Sequence, residues 1–277
     1  MTQPLWTALD EAVTVKPGKA APKLTDKHAE GDDLFPDRDE AEKSLKEDAA
    51  AINDLQDRLF AEKARALLVV LQGVDTAGKD GTVRGVFNET GPLGVDVHAF
   101  GKPSDAELDH DYLWRVHKVT PAKGMIGIFN RSHYEDVLVV KVRELAPAHA
   151  IEQRYDQINA FEKHLSENGV VILKFMLHIS KKEQGERLQE RLDDPRKHWK
   201  FNAGDLEDRK LWPAFMDAYE TALTRCSTKH APWRVIPADH KWRRNAIIAR
   251  IVRGALEEMN PQPRQPDWNP KSFKISQ

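Results

Sequence analysis

The apolar run Ala66–Leu71 (ALLVVL) leads directly into the segment QGVDTAGKDGT at 72–82. Gly73, four residues, then Gly78 and Lys79 is the spacing of a phosphate-binding loop set between a strand and a helix. Glycines there let successive backbone N–H groups turn inward around an anion, and the first turn of the next helix adds its positive dipole end. Gly73, Thr76, Ala77, Gly78, Lys79, Asp80, Gly81 and Thr82 are therefore the candidate phosphate-binding residues. Lys79 can reach a terminal phosphate as a point charge. The plain alternative is a glycine-rich turn with no ligand.

The rest of the chain repeats the strand-then-helix alternation. Short apolar runs stand at Val95–Phe100, Met125–Phe129, Val170–Leu177 and Arg234–Ile236, with segments long enough for helices between them. These runs rarely alternate with polar residues, as expected of strands buried on both faces. The pattern predicts a single α/β three-layer sandwich around a central parallel five-stranded sheet. A helix is expected over Asp39–Lys63, with Leu45, Ile52, Leu55 and Leu59 on one stripe. Ser104 with Glu107, and Ser180 with Glu183, read as capping boxes before helices over Leu108–Val119 and Arg187–Leu192. Residues 1–38 are polar and carry four prolines, which predicts an extended arm.

Composition excludes several classes. Lys plus Arg number 42 and Asp plus Glu 44, so the chain is no generic nucleic-acid binder, although an average can hide a local basic site. The single Cys226 rules out an internal disulfide framework and fits a reducing compartment. No apolar run approaches the roughly 18 residues of a spanning helix, so no membrane partner is expected. The first residues, MTQPLW, lack a basic-then-apolar signal, and a cytoplasmic location is expected.

The departures from the usual loop carry chemistry. Asp80 follows Lys79 where Ser or Thr commonly ligates magnesium, and Asp75 sits inside the loop. A carboxylate among phosphates repels them unless a cation lies between, so Asp75 is expected to hold Mg²⁺; the other reading is a loop-capping Asp. At the end of the third strand Asn130 stands where an acid often helps hold the metal, and Arg131 is placed to clamp a phosphoryl group or to pair with Glu135 or Asp136. Asp75, Lys79 and Arg131 are the expected catalytic set. After the fourth strand come Arg187 and Arg191, then Pro195–Gly204 with three cations and no acid, then Asp205 and Arg209. This reads as a lid closing over phosphates, or else as a solvated helical pair.

Five segments in order resemble the family-2 polyphosphate kinases, which are related in fold to thymidylate kinases. They are Gly73–Gly81 (GVDTAGKDG), Lys102–Leu108 (KPSDAEL), Asp111–Arg115 (DYLWR), Phe129–Asp136 (FNRSHYED) and Arg191–Phe201 (RLDDPRKHWKF). The resemblance runs from about Lys16 to Pro261. It implies a P-loop kinase fold with an arm over 1–38, one kinase domain over 39–262 with a helical lid at about 181–212, and a tail over 263–277. It implies transfer of a terminal phosphoryl group between inorganic polyphosphate and a nucleotide, with Mg²⁺. It places Arg187, Arg191, Lys197, Lys200 and Arg209 over the polyanion, and Asp205 near a second metal. Lys102, Trp114, Arg115, Asn130 and Glu135 fall to the nucleotide side, with Glu135 as a reader of the base. Asn130-Arg131-Ser132-His133-Tyr134, where many members carry Asp-Arg-Ser-Trp-Tyr, is similar to the subgroup that phosphorylates both AMP and ADP. Guanine nucleotides are a further expected substrate, and a homo-oligomer is implied. The rival expectations are an ATP-dependent nucleoside monophosphate kinase and a polyphosphate-sensing binding protein.

Overall fold

The computed structural model describes residues 5–273 and 275. Residues 1–4 of the expected arm and residues 274, 276 and 277 of the expected tail lie outside the described residues. Five parallel strands, β1 (Ala66–Gln72), β2 (Val95–Ala99), β3 (Ile126–Asn130), β4 (Val170–His178) and β5 (Trp233–Pro237), form one sheet in the order β2-β3-β1-β4-β5. Strand β1 is buried at every position because its two neighbours and the flanking helices cover it completely. The Lys241–Met259 helix packs with the Arg38–Glu62, Lys79–Val86 and Leu5–Val13 helices. The Ala148–Glu167 and Trp212–Cys226 helices form a second group, and the strands lie between the two.

The sheet is less uniformly buried than the apolar runs imply. Strand β2 is an edge strand in which Asp96, Val97 and Ala99 are exposed. The helix expected over Leu108–Val119 is broken into short turns at Asp105–Leu108 and Trp114–His117. Asp111 Oδ1 accepts the Leu113 N–H at 2.9 Å, a local bond that competes with helix continuation. Ser104 and Glu107 do form a reciprocal capping box. At Ser180 only half the box forms: its hydroxyl accepts the Glu183 N–H at 3.1 Å, but its own N–H donates to Asp239 at 2.8 Å. Glu183 turns to Arg187 instead, at 2.6 Å.

The first forty residues are not simply extended. A helix at Leu5–Val13 buries Leu9 and Val13, and Val15 N–H donates to Trp233 O at 2.8 Å. The Thr14–Arg234 bridge then closes the β5 edge that the sheet would otherwise expose.

Strand order places a switch point at β1, whose neighbours β3 and β4 are reached by connections running in opposite directions. Ligands of open α/β sheets bind beyond the carboxyl ends of the strands at such a point. Residues 73–78, 130–135 and 179–187 all leave the sheet there.

Candidate active site

The loop after β1 is held in a strained arc. Thr76 at φ 67° and Gly78 at φ 99° turn it before the Lys79–Val86 helix begins. Lys79 is buried and folds back over the arc, donating to Gly73 O at 2.7 Å and Val74 O at 3.2 Å. Burial, reinforced by the Arg131 charge, pulls its ammonium down to about 8.

Arg131 stands opposite, at the end of β3, with a left-handed φ of 64° that turns its side chain back over β1. Its guanidinium donates to Asp75 Oδ1 at 2.5 Å and lies 3.7 Å from Glu135 Oε2. Glu135 is fixed from below by Gln72 Nε2 at 2.9 Å, and Gln72 is itself held by Ser132 Oγ at 3.2 Å. Asp75, Arg131 and Glu135 line one crevice with Trp212, Phe215 and Tyr219. Glu135, expected on the nucleotide side, is thus within reach of the reacting centre.

The two departures from the usual loop answer each other: Asn130 Nδ2 donates to Asp80 Oδ1 at 2.6 Å. The carboxylate that commonly ends this strand and the hydroxyl that commonly follows the lysine are replaced by an amide and a carboxylate in contact.

The cations expected in a lid separate into two kinds. Arg187, expected over the polyanion, is buried beneath the loop. Its guanidinium donates to Thr76 O at 2.9 Å, Ala238 O at 2.7 Å and Asp239 O at 2.8 Å. It and the others lie on the 181–212 segment, which comprises a helix at Lys181–Asp193, a 3₁₀ turn at Pro195–Lys200 and a helix at Ala203–Lys210. Arg191 pairs with Asp205 at 3.0 Å, Lys197 pairs with Glu190, and Arg209 donates to Gln184 Oε1 at 2.9 Å. Lys200 lies 5.0 Å above the exposed Trp199 ring. Arg191 and Lys197 are thus neutralised locally by carboxylates, whereas Arg209 and Lys200 meet neutral groups.

The expected nucleotide set is also divided. Glu135 lines the crevice, Asn130 bonds to Asp80 at the end of β3, and Lys102 is exposed. Trp114 stacks on His110 at 3.9 Å and lines a separate hollow with His117 and Phe161. Arg115, expected on the nucleotide side, is buried: it donates to Gly101 O at 3.0 Å and lies 5.4 Å over the Phe100 ring. It therefore orders the segment after β2. His133 points into the core, where His133 Nε2 and Tyr134 Oη meet Glu162, which Lys174 pairs at 2.6 Å.

Among the described residues no group of three or more His, Cys, Asp or Glu side chains is arranged to hold a metal ion. The donors present still fit magnesium, which keeps several waters and takes one or two carboxylates plus phosphate oxygens. Asp75 is a hard oxygen donor inside the loop. Asp205 senses it: burial, then the Asp75 charge, pushes the Asp205 carboxyl up to about 6. A divalent cation bound at these carboxylates would relieve that repulsion.

The family model described as "Polyphosphate kinase 2 (PPK2)" matches residues 36–264, which include the loop, the Asn130–Asp136 motif and the 181–212 segment. The chain belongs to the polyphosphate kinase 2 family. It is 53% identical over 216 residues to the AMP/ADP-polyphosphate phosphotransferase of Meiothermus ruber, covering 78% of this chain and 81% of that one. It is 38% identical over 240 residues to the ADP-polyphosphate phosphotransferase of Rhodopseudomonas palustris, covering 82% and 83%. The crystal structure of polyphosphate kinase 2 from Arthrobacter aurescens TC1 superposes with a TM-score of 0.85 at 39% identity, over 94% of this chain and 97% of that one. The five-stranded sheet with its flanking helices is accordingly the P-loop kinase fold of polyphosphate kinase 2.

Sequence reasoning passed over Arg244, Gln72, Gln184 and Tyr219. Arg243 and Arg244 stand together ahead of the apolar stretch Ala246–Ile248 of the last helix, and both are buried. Two arginines on the buried face of such a helix are a readable signal.

Proposed function

We propose that this chain transfers the terminal phosphoryl group of inorganic polyphosphate to AMP and to ADP, giving ADP and ATP, reversibly and with Mg²⁺. The observation that carries this reading is the Lys79 loop facing the Asp75–Arg131 pair across the ends of β1 and β3, in a family member 53% identical to an AMP/ADP-polyphosphate phosphotransferase.

Phosphoryl transfer needs positioning and charge neutralisation more than covalent chemistry from the protein. Amides of residues 76–82 seat the end of the polyphosphate, and Lys79 leaves the Gly73 and Val74 carbonyls for its terminal oxygens. Arg131 exchanges Asp75 for the transferring group. An oxygen of the acceptor's terminal phosphate attacks the end phosphorus in line. The bridging P–O bond breaks, and polyphosphate leaves one unit shorter with that electron pair. Magnesium, when bound, neutralises charge on the phosphate oxygens; Asp75 would hold it, with Asp205 at a second position. Arg191, Lys197, Lys200 and Arg209 exchange their carboxylate and amide partners for the polyanion, and Glu135 faces the acceptor.

The reading extends to a homo-oligomer, supported by the exposed apolar side chains of Leu93, Val97 and Leu108, and to a cytoplasmic site, supported by the buried lone thiol of Cys226. Among the described residues no helix is long and apolar enough to cross a membrane. Purified protein with Mg²⁺, polyphosphate and AMP is expected to make ADP and then ATP; running GMP and GDP beside them reads base selectivity. Binding without product would leave a polyphosphate-binding protein. Product formed only when ATP is supplied would indicate a nucleoside monophosphate kinase.

A further inference from the structure

We propose that Arg244, backed by Arg187, is a buried counter-charge for the phosphate loop, a positioning residue that sets the affinity of polyphosphate rather than of the nucleotide acceptor. This rests on polyphosphate occupying the Gly73–Thr82 loop, and it assigns work to a residue outside that loop and outside the lid.

Three observations carry it. Arg244 is only 2% exposed, yet its hydrogen-bond partners are neutral: Ala77 O at 3.2 Å, and Asn245 Oδ1 at 3.1 Å from Nε and 2.9 Å from Nη2. Its neighbour in charge is another buried cation, Arg187, which donates to Thr76 O on the same loop. The loop and its helix are cleared of side chains to admit it. A Cβ on Gly78 would stand 1.9 Å from Arg244 Nη1, one on Gly81 3.1 Å from Nη2, and one on Gly85 2.2 Å from Asn245 Nδ2. Gly78, Gly81 and Gly85 thus form the face on which Arg244 and Asn245 lie.

Two like charges buried together destabilise a fold unless an anion accompanies them. Burial together with Arg187 pulls the Arg244 guanidinium down to about 9, the direction expected of a cation without a counter-ion. Among the described residues the acid paired with these arginines is Glu183, on Arg187 at 2.6 Å. A polyanion in the loop supplies the rest through the peptide groups of residues 76–78. The charge is fixed before binding, so no reorganisation accompanies it.

A residue that merely clamps the loop and a counter-charge predict opposite changes in stability. In Arg244→Met the free protein is expected to melt about 2–4 °C higher, since a buried unpaired charge is replaced by a chain of similar reach. The rise in Tm caused by long-chain polyphosphate is expected to shrink, with Kd for polyphosphate weakened roughly tenfold and KM for AMP within about twofold. Arg244→Lys, which keeps a charge on a shorter stem, is expected to recover part of the polyphosphate affinity. A lower Tm in Arg244→Met with an undiminished polyphosphate shift makes Arg244 a clamp and overturns the proposal. So do equal losses for AMP and polyphosphate, or a lysine variant as weak as the methionine one. Polyphosphate that fails to raise the Tm of the wild-type protein instead removes the loop assignment beneath the proposal and takes the proposal with it.

Discussion

Asp75→Asn separates the chemical role of the Asp75–Arg131 pair from its contribution to folding. The side chains pair at 2.5 Å, with Arg131 39% and Asp75 19% exposed. Exposed pairs contribute about 0–1 kcal/mol, whereas breaking a buried pair costs about 3–5 kcal/mol. Arg131 retains Glu135 at 3.7 Å, and the asparagine oxygen can still accept its N–H, so solvent and the second acid absorb most of the loss. The expected cost is about 1 kcal/mol, or about 2–4 °C in Tm. Turnover responds on a different scale. If Asp75 holds magnesium as proposed, losing its carboxylate removes about 4 kcal/mol of transition-state stabilisation, roughly a thousandfold in kcat. The half-saturating Mg²⁺ concentration should rise with it. Because the Asp75 charge helps push the Asp205 carboxyl up to about 6, the acid limb of the pH–rate profile should also move to lower pH. A coupled luciferase assay for ATP across Mg²⁺ and pH, beside a thermal melt, reads all four quantities. A kcat within about threefold of wild type at an unchanged Mg²⁺ requirement would refute the metal role. A fall in Tm above about 10 °C would show that the pair holds the fold instead.

Lys79 gives a pH signature with a worked sign. Its folded value of about 8 lies below the ordinary 10.5, so between those two values the unfolded chain holds a proton that the folded chain has released. The contribution of Lys79 to stability therefore rises with pH across that window, and its penalty is fully present below about 8. Polyphosphate binding should move the other way, weakening as pH rises through 8; a titration in which Lys79→Met shows the same inflection would assign it elsewhere. Arg187→Ala should lower Tm by about 5–10 °C, since it removes the donor to the Thr76, Ala238 and Asp239 carbonyls, whereas Lys200→Ala should leave Tm within about 2 °C and raise KM for polyphosphate severalfold. Equal melting losses in the two variants would contradict the distinction between a fixed and a mobile cation.

Much of the fold is legible in the chain. All five strands begin and end within one residue of the apolar runs, because a strand buried on both faces must be apolar almost throughout. Edge strand β2 is the exception in burial, and the polar Asp96 and His98 that interrupt Val95–Phe100 are the trace of it in the sequence. The broken helix at 105–117 was hidden, because the Asp111 turn and a continuous helix satisfy the same apolar spacing. In the site, the loop and its strand-end partner were legible because consecutive residues build each one. The division among the cations was not, because Arg187 and Arg191 share one helix face and differ only in what lies opposite.

The chain by itself determines a strand, a glycine arc, a lysine and a helix in order, and so an anion site at the end of a parallel sheet. Local backbone geometry suffices for that, and the neighbouring residues supply it. Only the tertiary structure decides which charges are free to meet the anion. It puts Arg187 and Arg244 permanently behind the arc, ties Arg131 to Asp75 across the two strand ends, and couples Asn130 to Asp80. Charge acts through space and through the local dielectric, and both are set by elements as many as 167 residues apart along the chain.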